Sequence, residues 1–288
     1  MDKTGAARLS IISNVLLVLA KGAIGIIGGS MSILAEAVHS AVDLIAAVIA
    51  YIAVLFADRP ADEAHAYGHG KFENLSGTVE ALLIIVAGAY IVYESIERII
   101  TNAPVERLDL GMVIMLVSAV ANFLVSANLF RVAKQTDSIA LEADGHHLRL
   151  DVYTSLGVLF GLILVHLTNF VILDRLIGLC VALWIGWIGI QLSRKAIGPL
   201  MDSQLPAAEM ERIVEIINSE PRILDFHKLR TRKAGAQRHI DVHLLMPRDM
   251  SLTTAHELAE EVEDKIRSEL ENVTIVTHVE PAEEDSNA

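Results

Sequence analysis

The sequence predicts a six-helix transmembrane bundle followed by a small cytoplasmic α+β domain, and three observations lead to this fold class. The 288 residues are 53% hydrophobic, and the mean hydropathy is +0.47. A soluble protein of this length could not bury that much apolar surface. Six apolar segments are each long enough to cross a bilayer, which needs roughly 20 residues. After Pro199 the pattern changes to amphipathic helices and alternating strands.

The six apolar segments are separated by short polar connections. The first two are joined by the tight turn GGS, whereas residues 57–72 and 101–109 form polar loops. The predicted spans are residues 7–27, 33–55, 79–96, 110–132, 139–167 and 173–197.

Orientation follows from the basic residues of the short loops, because cytoplasmic loops carry an excess of Lys and Arg. Eight basic residues lie on the N-terminal side and three on the opposite side, which places both termini in the cytoplasm. The eight are Lys3, Arg8, Arg59, Lys71, Arg131, Lys134, Arg194 and Lys195, and the three are Arg98, Arg107 and Arg175.

The C-terminal part predicts an αββαβ domain of the metallochaperone-like kind. Residues 207–218 and 252–270 have helical spacing, and residues 224–232, 239–245 and 273–280 alternate with period two. We therefore divide the chain into a transmembrane domain (1–200), a cytoplasmic metal-binding and dimerisation domain (201–282) and a disordered tail (283–288). From Asp202 onward 19 acidic and 10 basic residues supply −9 of the formal charge of −13. This acidity argues against nucleic-acid binding and suits attraction of cations.

Two of the spans carry ionisable residues, which are costly in a membrane and therefore indicate function. The second span contains His39 and Asp43, and the fifth contains His147 and Asp151. Each pair is spaced i, i+4, so its side chains share one helix face. Two imidazoles and two carboxylates make a four-ligand set suited to Zn²⁺. The alternative interpretation is that each pair forms a hydrogen bond between helices.

Three further polar residues of the spans need separate interpretations. His146 points about 100° away from His147 on a regular helix, so geometry favours His147 as the ligand. Arg149 is off the ligand stripe, and we interpret it as structural because a fixed cation beside a divalent site is unfavourable. Glu80 is a polar outlier that pairs with Lys21 or lines a polar path.

Two more histidine-rich groups lie outside the spans. The loop RPADEAHAYGHGKFE places Asp62, His65 and His69 within eight residues, enough to wrap one metal. In the C-terminal domain, His243 shares a strand face with Asp241 and His239, and His278 shares one with Glu280. His227 lies on the strand expected to pair with that of His243. The alternative interpretation is that the histidines of these two groups are solvated at the surface and bind no metal.

Together these motifs resemble the cation diffusion facilitator family, close to bacterial zinc/iron efflux transporters. The resemblance covers the six spans, the two HxxxD motifs, the PADxxHxxGHGK loop and the RTR-containing tail. It implies a homodimer in the bacterial cytoplasmic (inner) membrane that moves Zn²⁺ out of the cytoplasm, with protons as the counter-ion. It also implies that zinc is both transported and regulatory, and that the chain is not an enzyme.

The resemblance also implies roles for individual residues. His39, Asp43, His147 and Asp151 would form the transport site, and Asp62, His65 and His69 the loop site. Lys71 and Asp202 would form a salt bridge that ties the dimer together. The binuclear cytoplasmic site would comprise His227, His243, His256, His278 and Glu280. Glu280 stands where aspartate is common in the family.

Other functions remain open at this stage. A membrane metallohydrolase could use the same four intramembrane residues, although catalytic zinc normally keeps one coordination position open for water. A membrane metal sensor would bind zinc in the tail and signal. Within the transporter class, Fe²⁺, Cd²⁺ or Mn²⁺ could replace Zn²⁺ as the substrate.

Overall fold

The computed structural model describes residues 2–28, 31–101, 111–168 and 172–282. They form two compact units, Met1–Ile197 and Gly198–Ala288. The predicted turn after the first span, the predicted loop 101–109 and the predicted disordered tail 283–288 lie wholly or largely outside the described residues.

Six long helices follow one another through the first unit. Their ends lie close to those of the predicted spans, except that one helix begins well before the predicted start at residue 79. The helices are α1 (Lys3–Gly28), α2 (Met31–Ala57), α3 (Lys71–Thr101), α4 (Gly111–Thr136), α5 (Ile139–Thr168) and α6 (Ile172–Leu200).

The early start of α3 has a physical cause. Its first turns carry the polar residues Glu73, Asn74 and Ser76, which hydropathy excludes from a span, yet all three are buried. The carboxylate of Glu73 accepts hydrogen bonds from Lys3 Nζ at 2.8 Å and from Ser138 Oγ at 2.5 Å. Because protein groups satisfy this carboxylate, the helix continues through a polar segment.

Five of these helices are long and apolar enough to cross a membrane, so the prediction of apolar spans is confirmed for α1, α2, α3, α4 and α6. Helix α5 has 30 residues, which is sufficient length. Its first half carries four charged residues, Glu142, Asp144, Arg149 and Asp151.

Helix α5 lies at the centre of the first unit, because it contributes to both buried clusters. Leu141 and Leu148 pack with residues of α1, α2 and α4. Ala143 and Leu150 pack with residues of α3 and α6. The polar side chains on the first half of α5 are therefore surrounded by other helices, whereas large apolar side chains such as Ile26 and Ile27 point outward.

The second unit has the predicted αββαβ order. Its elements are α7 (Ala207–Asn218), β1 (Asp225–Ala234), β2 (Gln237–Met246), α8 (Leu252–Glu269) and β3 (Val273–Pro281). Strand β2 is central, antiparallel to β1 and parallel to β3. Gly235 has φ +59°, so the hairpin turn uses a left-handed residue as glycine allows. The two helices pack their apolar faces on the sheet, around Ile217, Leu258 and Ile240.

Candidate metal sites

The clearest cluster of metal-ligand types lies between α2 and α5. The i, i+4 spacing of each pair directs His39 and Asp43 toward the carboxylate and imidazole of the facing helix. His147 Nε2 lies 3.0 Å from Asp43 Oδ1, and His39 Nε2 lies 3.6 Å from Asp151 Oδ1. Ligand atoms of His39, Asp43 and Asp151 all fall within 4.8 Å of one another, and His147 joins them through Asp43.

Burial differs among the four side chains. Those of Asp43 and His147 are 4% and 10% exposed, whereas those of His39 and Asp151 are 53% and 21% exposed. The group can offer two nitrogen and two oxygen ligands to one cation, which suits tetrahedral coordination.

The two polar neighbours on α5 point elsewhere, as helical phase predicts. The His146 ring meets the edge of Phe130 at a centroid distance of 4.9 Å. Arg149 Nε donates to Ser126 Oγ at 3.0 Å, and its guanidinium lies 4.4 Å from the ring centroid of Phe123. A serine and an aromatic face on α4 therefore hold the guanidinium of Arg149.

Asn122 of α4 is a site residue that sequence reasoning missed. Its side-chain amide donates to Asp151 Oδ2 at 3.3 Å, and the residue is buried. Contacts of this kind orient a ligand and raise metal affinity. No local sequence signal links residues 122 and 151, because the contact depends on how α4 packs against α5.

The loop before α3 brings together Asp62, His65 and His69. The carboxylate of Asp62 lies 3.2 Å from His65 Nδ1 and 3.4 Å from His69 Nε2. Nδ1 of His69 lies 3.2 Å from the carbonyl of Pro60, which fixes the ring with Nε2 toward Asp62. The backbone N–H of His65 donates to Asp62 at 2.7 Å and lowers the pKa of that carboxyl below its ordinary value. The three groups can hold one cation.

A third group of possible metal ligands lies on the sheet of the second unit, at paired positions of its three strands. Pairing sets His227 opposite His243 and His243 opposite His278. Glu280 binds two of these rings, with Oε2 at 3.0 Å from His227 Nε2 and Oε1 at 2.7 Å from His243 Nδ1. His278 Nε2 lies 3.5 Å from the same carboxylate. The His243 contact lowers the pKa of Glu280.

A register irregularity in β1 lies directly beside this group. It falls between His227 and Arg230, where Lys228 adopts a φ of +51°. Bulges of this kind re-aim a side chain next to a site. His227, His243 and Glu280 place their ligand atoms within 4.8 Å of one another, so this donor set fits a resident zinc ion.

Three other predicted residues lie apart from these groups within the described chain. His256 is on α8, where its Nε2 lies 3.4 Å from Glu260 of the same helix. Lys71 is the first residue of α3. Asp202 lies in the second unit and accepts from Arg232 at 3.2 Å. The metal role of His256 and the pairing of Lys71 with Asp202 stay predictions.

Family models match nearly the whole chain. The model described as the cation efflux transmembrane domain matches residues 7–201. The model described as the cation efflux protein cytoplasmic domain matches residues 205–282.

Curated relatives match over most of their length. An uncharacterized transporter of Synechocystis sp. is 36% identical over 259 residues, covering 90% of this chain and 84% of the relative. The cation-efflux pump FieF of Shewanella oneidensis is 30% identical over 278 residues, with coverages of 96% and 94%. The pump of that name from Cronobacter sakazakii is 32% identical over 257 residues, with coverages of 88% and 84%.

Solved structures match a smaller part. The Zn form of the transporter CzrB is 34% identical, covering 28% of this chain and 92% of that chain, with a TM-score of 0.25. The metal-bound C-terminal domain of the transporter CzcD from Thermotoga maritima is 21% identical, covering 28% and 100%, with a TM-score of 0.26.

Proposed function

Because this chain belongs to the cation diffusion facilitator family of cation efflux transporters, which are not enzymes, we propose that it exports Zn²⁺ in exchange for protons. The observation that carries the proposal is the convergence of His39, Asp43, His147 and Asp151 between α2 and α5. Family membership excludes the membrane metallohydrolase considered above.

The choice of zinc rests on the ligand types. Two imidazoles and two carboxylates in a tetrahedral set are typical of Zn²⁺ and poor for Cu(I), which prefers thiolate and thioether sulfur. Mn²⁺ favours an oxygen-rich shell, so the two histidines argue against it. Fe²⁺ and Cd²⁺ accept nitrogen ligands and are the competitors that an assay must include.

Proton exchange follows from the same ligands. Zinc binds neutral imidazole and deprotonated carboxylate, so loading the site releases protons and protonation releases the metal. The contact of 3.0 Å between His147 and Asp43 supports a metal-free state in which a proton is shared by that pair. We propose alternating access, in which α2 and α5 expose this site to one side of the membrane and then to the other.

The proposed membrane arrangement has six spans, in which α5 crosses the membrane together with the five apolar helices, and both termini lie in the cytoplasm. The enclosure of the polar half of α5 by other helices supports this, because charged side chains in a membrane face the protein interior. We place the transporter in a bacterial cytoplasmic membrane as a homodimer, with Lys71 and Asp202 as a salt bridge that stabilises the dimer.

The loop and C-terminal groups are proposed as further zinc sites. In the second unit, His227, His243, His278 and Glu280, with His256, would hold regulatory zinc. Zinc bound there favours the transport-competent dimer only if it binds that state more tightly than the alternatives.

Transport in proteoliposomes tests the proposed function. The wild type should move Zn²⁺ at a rate that depends on an imposed pH gradient, in a panel that includes Fe²⁺, Cd²⁺ and Mn²⁺. His147→Ala removes a ligand and should lower zinc flux at least about 100-fold, since even outer contacts cost 10–100-fold. His146→Ala is the matched control and should retain flux. Zinc flux that ignores the pH gradient, or that survives His147→Ala, would contradict the proposal.

A further inference from the structure

Two carboxylates beside the transport site have no role in the account so far. Glu80 of α3 and Asp144 of α5 are both 0% exposed. Within the described part of the chain, none of their four oxygen atoms has a hydrogen-bond partner. An ionised carboxylate buried without a partner is strongly disfavoured, so such a group holds a proton instead.

Helical spacing connects these carboxylates to the metal ligands. Asp144 precedes His147 by three residues and Asp151 by seven, so all three lie on one face of α5. On α1, Asn14 follows Ser10 by one turn. Ser10 and Asn14 are also buried polar residues.

The groups around Asp144 are mostly acidic. His147 and Asp151 share that face of α5, and Asp43 Oδ1 lies 3.0 Å from His147 Nε2. Ala81, which follows Glu80, packs in the same buried cluster as Ala143, which precedes Asp144. Two cations of the same unit are engaged with hydroxyl groups: Lys21 donates to Ser40 at 2.9 Å and Arg149 to Ser126 at 3.0 Å. Lys21 therefore contacts α2 and makes no hydrogen bond to Glu80.

We propose that Glu80 and Asp144 are two proton sites, separate from the metal ligands, each of which gives up its proton when the metal arrives and takes it back when the metal leaves. The inference deepens the proposed Zn²⁺/H⁺ exchange and rests on it. Neither carboxylate lies within two residues of a predicted ligand of the transport site, and neither belongs to the proposed ligand set.

The coupling is electrostatic. A divalent ion held by Asp43, Asp151 and the two histidines adds positive charge beside Asp144, in a region of low dielectric where charges interact strongly. That charge favours the carboxylate over the carboxylic acid, so one proton leaves and one negative charge remains. The same holds for Glu80, so each of the two groups loses one proton and keeps one negative charge. By reciprocity, a proton on this pair weakens metal binding to the same extent.

Proton release during zinc binding tests these two sites directly. Full-length protein in weakly buffered detergent solution is titrated with ZnCl₂, and a pH indicator counts the protons released while calorimetry counts the zinc bound. Compared with wild type, Glu80→Gln and Asp144→Asn should each release about one proton fewer per protomer, because an amide cannot be ionised. Both variants should still bind zinc at the transport site. Glu97→Gln, an exposed position on the same α3 helix, should match the wild type.

A second measurement protects the test against misfolded variants. Infrared difference spectra of the wild type on zinc addition should show loss of a protonated carboxylic acid signal, and Glu80→Gln or Asp144→Asn should reduce that loss. Unchanged proton counts in both variants, or no carboxylic acid signal lost in the wild type, would overturn the inference. Failure of the antiport proposal looks different, because wild-type zinc flux would then be insensitive to the pH gradient.

Discussion

At the scale of single residues, the transport site depends on groups that do not touch the metal. Asn122 holds one oxygen of Asp151, which leaves the other oxygen directed toward His39 at 3.6 Å. Arg149, two residues before Asp151, is held on α4 by Ser126 and Phe123. Helix α4 therefore sets the orientation of ligands carried by α5.

Removal of the Asn122 amide should weaken metal binding without removing a ligand. We expect Asn122→Ala to raise the zinc Kd of the transport site about 10-fold, because outer contacts of ligands contribute 10–100-fold to metal affinity. Calorimetric zinc titration measures this. Ser118→Ala, one turn away on α4 and also buried, is the control and should leave the Kd unchanged. Equal effects of the two substitutions would indicate a general packing defect instead.

The sequence predicted the four ligands because i, i+4 spacing places each pair on one helix face, a property that is local in the chain. The same spacing extended by two turns from Asp151 reaches Asp144, so that carboxylate could have been found. Asn122 could not, since its contact with Asp151 spans 29 residues and depends on tertiary packing.

At the scale of elements, patterns of hydrophobicity predicted most helix and strand boundaries, and the main exception is the start of α3. Hydropathy placed the start of the third span at residue 79, after the polar first turns of α3. Inside the protein, however, Lys3 and Ser138 satisfy the carboxylate of Glu73. The strands and helices of the second unit alternate between buried and exposed positions, so their bounds were predicted to within a few residues. Internal polar partners are invisible to a pattern read along the chain.

One ion-pair network links the connection after α7 to α8. Glu220 is buried and accepts from Arg222 Nε at 2.7 Å and from Lys265 Nζ at 3.2 Å. The hydrogen bond from Arg222 is the main cause that lowers the pKa of Glu220 from 4.5 to about 2. A lowered pKa in the folded state stabilises the protein above pH 4.5, and that contribution is lost as the pH falls toward 2.

Glu220→Gln should therefore destabilise the second unit in a pH-dependent way. We expect a loss of about 1 kcal/mol in free energy of unfolding at pH 7, the upper end for ion pairs with solvent-facing partners. The difference from wild type should shrink between pH 4.5 and pH 2. Urea unfolding of the full-length protein, followed by amide hydrogen exchange in residues 207–282, measures both. A loss that is independent of pH would show that charge is not the cause, and Glu260→Gln provides an exposed control.

At the scale of the whole molecule, zinc binding to the second unit should regulate transport by the first. We expect the double variant His243→Ala, His278→Ala to transport several-fold more slowly at limiting zinc and at the wild-type rate at saturating zinc. The reason is that regulatory zinc shifts a population and does not carry the substrate. Flux measured over a range of zinc concentrations checks this. Asp241→Asn, on the same strand as His243 and exposed, is the control, and unchanged zinc dependence in the double variant would contradict regulation.

The central claim is that α2 and α5 together hold the transported ion with two histidines and two carboxylates. Zinc K-edge X-ray absorption tests it on full-length protein in which His69→Ala and His243→Ala weaken the other two sites. The account predicts four nitrogen and oxygen ligands at about 2.0 Å, with the outer scattering of two imidazoles, and loss of this signal in His147→Ala. A shell of six oxygen atoms without imidazole scattering, or an unchanged spectrum in His147→Ala, would contradict it.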